Sequence, residues 1–159
     1  MMQGIVEKIF IAHRKGEPTI SMDQVNLVPG RGIEGDRYFQ SAGNSDESVK
    51  PDRELTLIEI EAIEYMVEVD GLQITPDQTR RNIVTRGIAI NDLVGCEFRI
   101  GNVQLRGICL CEPCKYLADR TDPRILQSMV HRGGLRVEVL SEGIIHVNDI
   151  ITTSCKENL

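Results

Sequence analysis

Short runs of Val and Ile, each bounded by Gly, Asn or Pro, recur along this chain and restrict what it can fold into. β-Branched residues in runs of about four to eight favour strands over helices. Such runs occupy residues 5–12, 54–57, 81–85, 97–100, 103–110, 135–140 and 144–147. The pattern therefore predicts a mainly β (α+β) fold.

Two turns indicate how neighbouring strands connect. Gly101-Asn102 separates two predicted strands by only two residues, and the turn at 141–143 has Gly143 available for a positive φ. Hairpins of this kind join antiparallel strands. We therefore expect mostly antiparallel neighbours and a sheet that closes into a β-barrel with a few peripheral helices.

Two segments have helical periodicity instead. Residues 59–68 place Ile60 and Val67 on one face and acidic side chains largely on the other, so the acidic face is predicted to be solvated. A second helix is predicted to begin at Asp122, a capping residue followed by proline, and to end at the glycines of 133–134.

Length and charge limit the classes of protein. We expect a single domain over 1–159, with a polar surface loop at about 40–52 and a short polar tail at 152–159. A net charge of −6 argues against a surface built for nucleic acid or anionic lipid. No stretch has the length of a membrane span or of a signal-peptide core, so a cytoplasmic protein with a small-molecule ligand is expected.

Three of the five cysteines lie within six residues, at Cys109, Cys111 and Cys114. Thiols this close are typical of a metal site, a sulfur carrier or a redox couple. Cys114 follows Pro113 at the predicted start of a helical turn, where unpaired N–H groups favour the thiolate. We predict that Cys114 is exposed, catalytic and a metal ligand, and that Cys111 resolves a persulfide or sulfenic acid formed on it. Cys109 is predicted to pack in the core.

Arginines supply the candidate binding groups, because 13 of the 18 basic residues are Arg and their planar forks suit oxyanions. Gly35 allows close backbone approach to a ligand, and Asp36 is placed to fix the Arg37 guanidinium. Arg81 and Asn82 open a strand, from which a donor fork and an amide would reach the same cleft. All five are predicted to bind the ligand.

The turn after the second helix is the other predicted wall of this cleft. Arg132 is expected to bind the ligand there together with Gly133 and Gly134, although Gly133 also serves as a helix stop. For Arg80 and Arg86 a plain ion-pair role is equally compatible with the sequence.

Three further residues have simpler interpretations. His131, near a helix end, is more typical of a surface residue than of a ligand. Cys96 resembles a packing residue at a strand start, and Cys155 lies in the polar tail. None of the three is a strong site candidate.

Four stretches at the edges of predicted elements occur in an order and spacing that resemble the MOSC family, the module found at the carboxyl end of molybdenum-cofactor sulfurases and as short standalone bacterial proteins. They are Gly32-Ile33-Glu34-Gly35-Asp36-Arg37, Arg80-Arg81-Asn82-Ile83-Val84, Cys111-Glu112-Pro113-Cys114 and His131-Arg132-Gly133-Gly134-Leu135-Arg136. A further match lies at 93–101, and the resemblance covers about 4–151.

The resemblance implies a β-barrel-like fold and a molybdenum-pterin (molybdopterin) cofactor, with a cysteine that holds the metal or carries sulfur destined for it. The family's key cysteine is the last of the Cys-rich turn, which is Cys114 here. Where the family often has His after Gly-Asp-Arg, this chain has Tyr38. Residues 1–159 carry no aminotransferase-like domain, and we expect no pyridoxal phosphate, which needs a positioned lysine.

Three functions remain open. In the first, a small oxidoreductase or cofactor-handling protein holds molybdenum through Cys114 and receives electrons from another protein. In the second, Cys114 carries a persulfide, received from a sulfur-donor protein, without bound metal. In the third, Cys109, Cys111, Cys114 and His131 bind zinc in a structural or interaction module, which the lack of a second ligand pair disfavours.

Overall fold

The computed structural model describes residues 2–39 and 53–155, so the predicted surface loop at 40–52 and residues 156–159 lie outside the described residues. The strands are β1 (Met2–Ile11), β2 (Ile20–Met22), β3 (Gln24–Val28), β4 (Gly32–Ile33), β5 (Leu55–Glu59), β6 (Ile83–Arg86), β7 (Glu97–Ile100), β8 (Val103–Leu110), β9 (Leu135–Val139), β10 (Gly143–His146) and β11 (Ile150–Thr153). The helices are α1 (Ile60–Glu68), α2 (Lys115–Arg120) and α3 (Ile125–Ser128), and no described helix has the length and apolarity needed to cross a membrane.

Seven strands close into a barrel in the order β11-β7-β8-β9-β5-β6-β1, and pairing between β1 and β11 completes the ring. Strand β2 extends the sheet beyond β1, and β10, β3 and β4 form a separate small sheet. The mainly β fold and the barrel predicted from the sequence are confirmed. Closure leaves the seven barrel strands without open edges.

Antiparallel pairing dominates among the described strands, as predicted, and β5 and β6 form a parallel pair. Parallel neighbours need a long crossover, because the chain must return to the same end of the sheet before it continues. Helix α1 and the 3₁₀ turn Pro76–Thr79 lie in that crossover. The crossover carries the chain to Arg81 and Asn82, directly before β6.

The barrel interior is filled by apolar residues, mostly aliphatic, from every barrel strand. Representative members of this core are Val6, Ile9, Leu57, Ile83, Phe98, Leu105, Val137 and Ile151. Alternation along β9, where Leu135, Val137 and Val139 are buried, leaves Arg136 on the opposite face of the strand. The period of two along a strand therefore decides that Arg136 points away from the barrel core.

A second core lies between the helices and the outer face of β5 and β6. It contains Phe10, Ile58, Ile60, Ile63, Met66, Leu72, Ile74, Val84, Leu117, Ala118, Ile125 and Met129. Helix α1 matches the predicted segment but buries Met66 rather than Val67, which is 39% exposed. The prediction for Val67 was wrong, and the buried residues of α1 are Ile60, Ile63 and Met66.

The second predicted helix is shorter than expected. Asp122 Oδ1 accepts the Arg124 N–H at 2.9 Å in the turn before α3, but the N-cap position is Arg124, no side chain caps it, and α3 ends at Ser128. The chain leaves the helical direction at His131, whose φ is +60°, before the glycines predicted to stop it. Helix α2 precedes α3 as a separate element, so this region contains two short helices.

The polar tail was predicted to begin at residue 152, but residues 152 and 153 belong to β11. Thr152 pairs with Gln3 of β1 and with Arg99 of β7, and Thr153 continues the strand. Thr is β-branched and fits a strand well. The polar residues 152–153 therefore complete the barrel.

Strand registers bring the ends of four neighbouring strands together. Leu57 of β5 pairs with both Ile83 of β6 and Leu135 of β9, and Leu110 of β8 also pairs with Leu135. The residues next to these pairs in sequence include Thr56, Asn82, Arg136 and Cys111. This side of the barrel is where the candidate site lies.

Candidate functional site

Two adjoining cavities of about 310 and 380 Å³ form a cleft at this side of the barrel. They share Arg37, Tyr38, Arg80, Arg81, Cys111 and Arg136. The first cavity adds Arg53, Thr56 and Asn82, and the second adds Lys15, Glu112, Cys114, Tyr116 and Leu117. None of the described residues that line the first cavity is acidic. Among the described residues that line the second cavity, Glu112 is the one acidic residue. The cleft therefore concentrates positive charge in a protein whose net charge is −6.

Arg81 is mostly buried, and its contacts are neutral. Its Nε donates to the Gly133 carbonyl at 2.7 Å, and one Nη donates to the Thr79 carbonyl at 3.3 Å. No carboxylate of the described residues forms an ion pair with it. Burial lowers the pKa of Arg81, while the nearby Cys111 and Cys114 thiols oppose that shift. A mostly buried cation without a carboxylate partner is a strong site for an anionic ligand.

The turn after β4 fixes Arg37 in the cleft. Asp36 Oδ1 accepts an Arg37 Nη–H at 3.0 Å and the Ala12 N–H at 3.0 Å, and the Arg37 N–H donates to the Ala12 carbonyl at 2.7 Å. Gly35 permits the turn through its φ of +92°. Asp36 Oδ2 is buried without a hydrogen-bond partner among the described residues. The ion pair expected from sequence is present, and it orients Arg37.

Asn82 lines the first cavity but is largely engaged with the protein. Its Oδ1 accepts the Thr56 N–H at 3.1 Å and the Thr56 hydroxyl at 3.2 Å, and its Nδ2 donates to the Phe10 carbonyl at 3.1 Å. These bonds join β1, β5 and the start of β6. Asn82 therefore shapes the wall of the cavity and retains one N–H for a ligand.

Gly133 and Gly134 do not line the cleft, yet they position residues that do. A Cβ on Gly133 would lie 1.9 Å from the Cys111 carbonyl oxygen, and one on Gly134 would lie 2.0 Å from that of Leu57. The Cys111 N–H donates to the Gly134 carbonyl at 2.7 Å. The glycines therefore hold the Cys111 backbone against this turn, and the Gly133 carbonyl binds Arg81.

Cys111 and Cys114 both line the cleft but differ in their exposure to solvent. Cys111 is 3% exposed and lines both cavities, whereas Cys114 is exposed and lines the second. Cys114 occupies the N-cap position of α2 with extended backbone. The structure therefore brings both predicted thiols to one cavity, with Cys114 facing solvent.

Cys109 does not belong to the core, contrary to the prediction. It is exposed, whereas Cys111 is buried, because β8 ends at Leu110 and strand alternation does not continue to Cys111. A register shift between Gly107 and Cys109 interrupts the ladder as well. In the described part of the chain, no three His, Cys, Asp or Glu side chains gather into a metal-binding group.

Arg132 lies outside the cleft, so the expected wall is not formed by its side chain. Its guanidinium stacks over Tyr65 at 4.0 Å and donates to the Ser128 carbonyl at 3.0 Å. The left-handed backbone at His131 redirects the chain, and Arg132 lines a separate cavity of about 80 Å³. His131 is 76% exposed and faces Glu112 at 3.5 Å, as expected of a surface residue.

Glu54 lies in sequence between Arg53 and Thr56, which line the first cavity. It is 1% exposed, and its carboxylate accepts the Gly30 N–H at 2.7 Å and the Val139 N–H at 3.3 Å. Burial raises the pKa of Glu54 to about 7. This carboxyl group is satisfied by backbone donors rather than by a cation.

Several cleft residues were not assigned to the site by the sequence: Lys15, Arg53, Thr56, Arg80, Tyr116 and Arg136. Arg80, for which an ion pair was equally plausible, has no carboxylate partner among the described residues. Of these residues, only Arg136 had a signal in the sequence, because it is a charged residue within the alternating apolar segment 135–140. The others depend on which strands become neighbours.

Cys96 and Cys155 form a disulfide bond across a sequence separation of 59 residues. Sequence analysis had assigned Cys96 to packing and Cys155 to a polar tail. The bond joins the residue before β7 to the segment after β11, on strands that pair in the barrel. The five cysteines thus separate into one bonded pair and three free thiols.

A family model for the MOSC domain matches residues 44–152, which is more than half of the chain. The chain belongs to the MOSC domain family, as the resemblance had indicated. A search of curated proteins finds no match.

Three solved structures share the fold. YuaD from Bacillus subtilis has a TM-score of 0.77 at 20% identity, with 94% of each chain covered. YiiM from Geobacillus stearothermophilus has a TM-score of 0.72 at 17% identity, covering 95% of this chain and 74% of that one. YiiM from Escherichia coli has a TM-score of 0.69 at 22% identity, covering 98% and 71%. At these identities the likeness establishes the fold alone.

Proposed function

We propose that this protein binds a molybdenum-pterin cofactor in the cleft, with Cys114 as the metal ligand, and acts as a small oxidoreductase or cofactor-handling protein. The MOSC family is associated with molybdenum-cofactor binding and sulfurase-type function, and the chain belongs to it. The cleft supplies the two kinds of group that such a cofactor requires, a soft thiolate and cationic donors for its phosphate.

The observation that carries the proposal is the environment of Arg81. A mostly buried guanidinium contacts two backbone carbonyls but no carboxylate of the described residues, and the thiols of Cys111 and Cys114 act on it electrostatically. An anionic ligand would supply the missing counter-charge. This arrangement favours a bound anionic cofactor over a purely structural role.

The residues of the cleft would have separate roles in binding the cofactor. Arg53 and Arg81 would hold the phosphate and the polar edge of the pterin, while Asp36 keeps Arg37 oriented toward the same cavity. Cys114 would hold the metal. When bound, molybdenum would supply electron transfer to a substrate, with electrons drawn from a separate donor protein. We infer no nucleic-acid or membrane partner, since the cations line a cleft rather than an extended surface.

A persulfide carrier is the second candidate, and one observation favours it. Cys111 and Cys114 line the same cavity, so a sulfur carried on exposed Cys114 would lie near a buried thiol able to resolve it. In this function Cys114 delivers sulfur to an acceptor and no metal stays bound. The cationic cleft would then receive an anionic acceptor or cofactor.

Metal analysis tests the first candidate. The protein, Cys114→Ser and Cys109→Ser are purified side by side from a host that makes molybdenum cofactor, and molybdenum is measured per chain. Loss of the ligand is expected to reduce molybdenum at least ~10-fold in Cys114→Ser. Cys109→Ser should match the unmodified protein, because Cys109 lies outside the cleft.

Two outcomes oppose the proposal in different ways. Equal molybdenum in the unmodified protein and Cys114→Ser would remove Cys114 as the ligand. Absence of molybdenum from every sample, together with an intact mass one sulfur heavier that disappears in Cys114→Ser, would instead support the persulfide carrier.

A further inference from the structure

A third cavity, of about 230 Å³, adjoins the cleft and has no role in the function proposed above. It is lined by Pro18, Thr19, Asp77, Gln78, Arg80, Arg120 and Thr121. Arg80 is the residue that it shares with both cavities of the cleft. A ligand in the third cavity would therefore contact a guanidinium that also faces the thiol cleft.

Arg80 is held in an uncommon backbone conformation at this junction. Its φ is +61°, in the left-handed region that non-glycine residues rarely adopt, and it ends the 3₁₀ turn Pro76–Thr79. One Nη donates to the Glu17 carbonyl at 2.7 Å. This bond anchors one part of the guanidinium to the backbone and leaves the remaining N–H groups without a partner among the described residues. Residues held in this way often serve a binding site.

Arg120 and Arg80 both contact the ring of Tyr116. The Arg120 Cζ lies 4.6 Å from the ring centroid, and the Arg80 Cζ lies 6.0 Å from it. A cation–π contact holds a guanidinium in place without neutralising its charge, in contrast to an ion pair. Tyr116 thus positions two cations beside the cavity while their charge remains available to a ligand.

The local charge balance favours an anion. Burial and the neighbouring guanidiniums of Arg37 and Arg120 lower the pKa of Arg80, which means that like charges crowd this junction. Asp77 is the acidic residue among the described lining, and its Oδ1 already accepts the Thr75 hydroxyl at 2.5 Å. An oxyanion placed between Arg80 and Arg120 would relieve the repulsion between them.

We propose that the third cavity binds an oxyanion group of the substrate, held by Arg80 and Arg120, and that the substrate is therefore an organic phosphate, sulfate or carboxylate. Tyr116 is a positioning residue for both arginines. The assignment to a substrate depends on the function proposed above, whereas oxyanion binding itself does not. We assign the group to the substrate rather than to the cofactor because the third cavity shares no residue with the cleft except Arg80.

Inorganic phosphate is the probe that tests oxyanion binding, followed by residue-resolved ¹⁵N NMR at constant ionic strength. Phosphate is expected to shift the amide signals of Thr19, Gln78 and Thr121 saturably. In Arg120→Ala the apparent affinity at these signals should fall at least ~10-fold. Phosphate shifts at the Asn82 amide, in the first cavity, should be unchanged. Arg124→Ala, which alters an exposed arginine outside the third cavity, is the matched control and should behave as the unmodified protein.

Two variants of Tyr116 separate positioning from direct binding. Tyr116→Phe keeps the ring and should retain phosphate affinity, whereas Tyr116→Ala should lose it to a similar degree as Arg120→Ala. Phosphate shifts that are absent from the third cavity, or unaffected by Arg120→Ala, would overturn the proposal.

Molybdenum content decides between substrate and cofactor as the source of the oxyanion. Arg120→Ala should hold as much molybdenum as the unmodified protein. Loss of molybdenum in Arg120→Ala would assign the cavity to the cofactor and overturn the substrate assignment. Phosphate shifts in a protein that binds no molybdenum would defeat the proposed function while leaving the oxyanion site in place.

Discussion

Arg86 and Arg106 on the outer wall of the barrel are paired with carboxylates, whereas Arg80 and Arg81 in the cleft have no carboxylate partner among the described residues. The paired groups of this outer wall are Arg86 with Glu7 and Glu64, Arg106 with Glu97 and Glu138, and the bonded cysteines Cys96 and Cys155. In the cleft, Cys111 and Cys114 are free thiols.

The same residue types therefore have two uses in one small barrel. On the outer wall, the guanidiniums of Arg86 and Arg106 and the bonded cysteines are matched within the protein and contribute to stability. In the cleft, the guanidiniums of Arg80 and Arg81 contact backbone carbonyls and, for Arg80, the Tyr116 ring, which hold them without neutralising them. Unmatched groups lower the stability of the empty protein and raise its affinity for a ligand.

Reduction of the Cys96–Cys155 bond should have the largest effect on stability. The bond closes a loop of about 60 residues, and its loss should lower the free energy of unfolding by about 4 kcal/mol. Thermal unfolding with and without dithiothreitol measures this change. Cys96→Ser should reproduce it and Cys109→Ser should not. An unchanged melting temperature in reductant would mean that the Cys96–Cys155 bond does not stabilise the fold. It would contradict the description of the outer wall as the paired region.

Arg81→Met should remove much of the response to anions. Phosphate bound to the folded protein raises its melting temperature, and loss of the buried guanidinium should weaken that binding by about 2–3 kcal/mol. Melting curves against phosphate concentration at constant ionic strength provide the measurement. Arg106→Met, on the outer wall, should respond as the unmodified protein does. Equal responses from both variants would contradict the distinction between the two regions.

Glu54 predicts a pH dependence of stability. Its pKa is about 7 in the folded protein against an ordinary value of 4.5, so the folded state holds a proton that the unfolded state releases between these pH values. The free energy of unfolding should therefore fall as pH rises from 4.5 to 7, by an amount on the order of 3 kcal/mol, and level off above 7.

Glu54→Gln should flatten this pH profile, because the amide is neutral at every pH. Denaturant unfolding from pH 4.5 to 8 compares it with Glu142→Gln, an exposed control that should keep the slope. A profile that stays equally steep in Glu54→Gln would assign the titration to another group.

Arg86→Met should give the smallest effect, although it breaks two ion pairs. The side chains involved are well exposed, so water and salt screen the interaction. We expect a slight loss of stability at low ionic strength that disappears in high salt. A large and salt-independent loss would show that the outer wall depends on its ion pairs more than its exposure implies.

The sequence predicted the barrel strands better than the small sheet. Runs rich in Val and Ile located most barrel strands, and two of them matched to the residue, at 97–100 and 103–110. Strand β3 was missed because only Val25 and Leu27 are buried within it, and β4 has two residues. Such short strands depend on partners that are distant in sequence.

Site residues that belong to a short local motif were predicted from the sequence. Site residues whose position depends on strand register were missed. Arg37, Arg81, Cys111 and Cys114 each lie in a short recognisable stretch, and the structure gathers them in the cleft. The contribution of Arg136 depends on β9 lying between β5 and β8, which no local pattern reveals. The disulfide partners, 59 residues apart, likewise carry no local signal.

The wrong prediction for Arg132 has a local cause. A helix that continued to Gly133 would have carried this side chain along its surface, whereas the positive φ of His131 turns the chain earlier. Non-glycine residues adopt this conformation too rarely for the sequence to indicate it.

Closure of the barrel by pairing β1 with β11 has a consequence for synthesis on the ribosome. Met2 pairs with Thr153, so one edge of β1 must wait for nearly all of the intervening chain to emerge. During that interval the growing polypeptide exposes an unpaired strand edge that a neighbouring nascent chain could engage. Chaperone demand should therefore peak late in translation and end when the final strand docks.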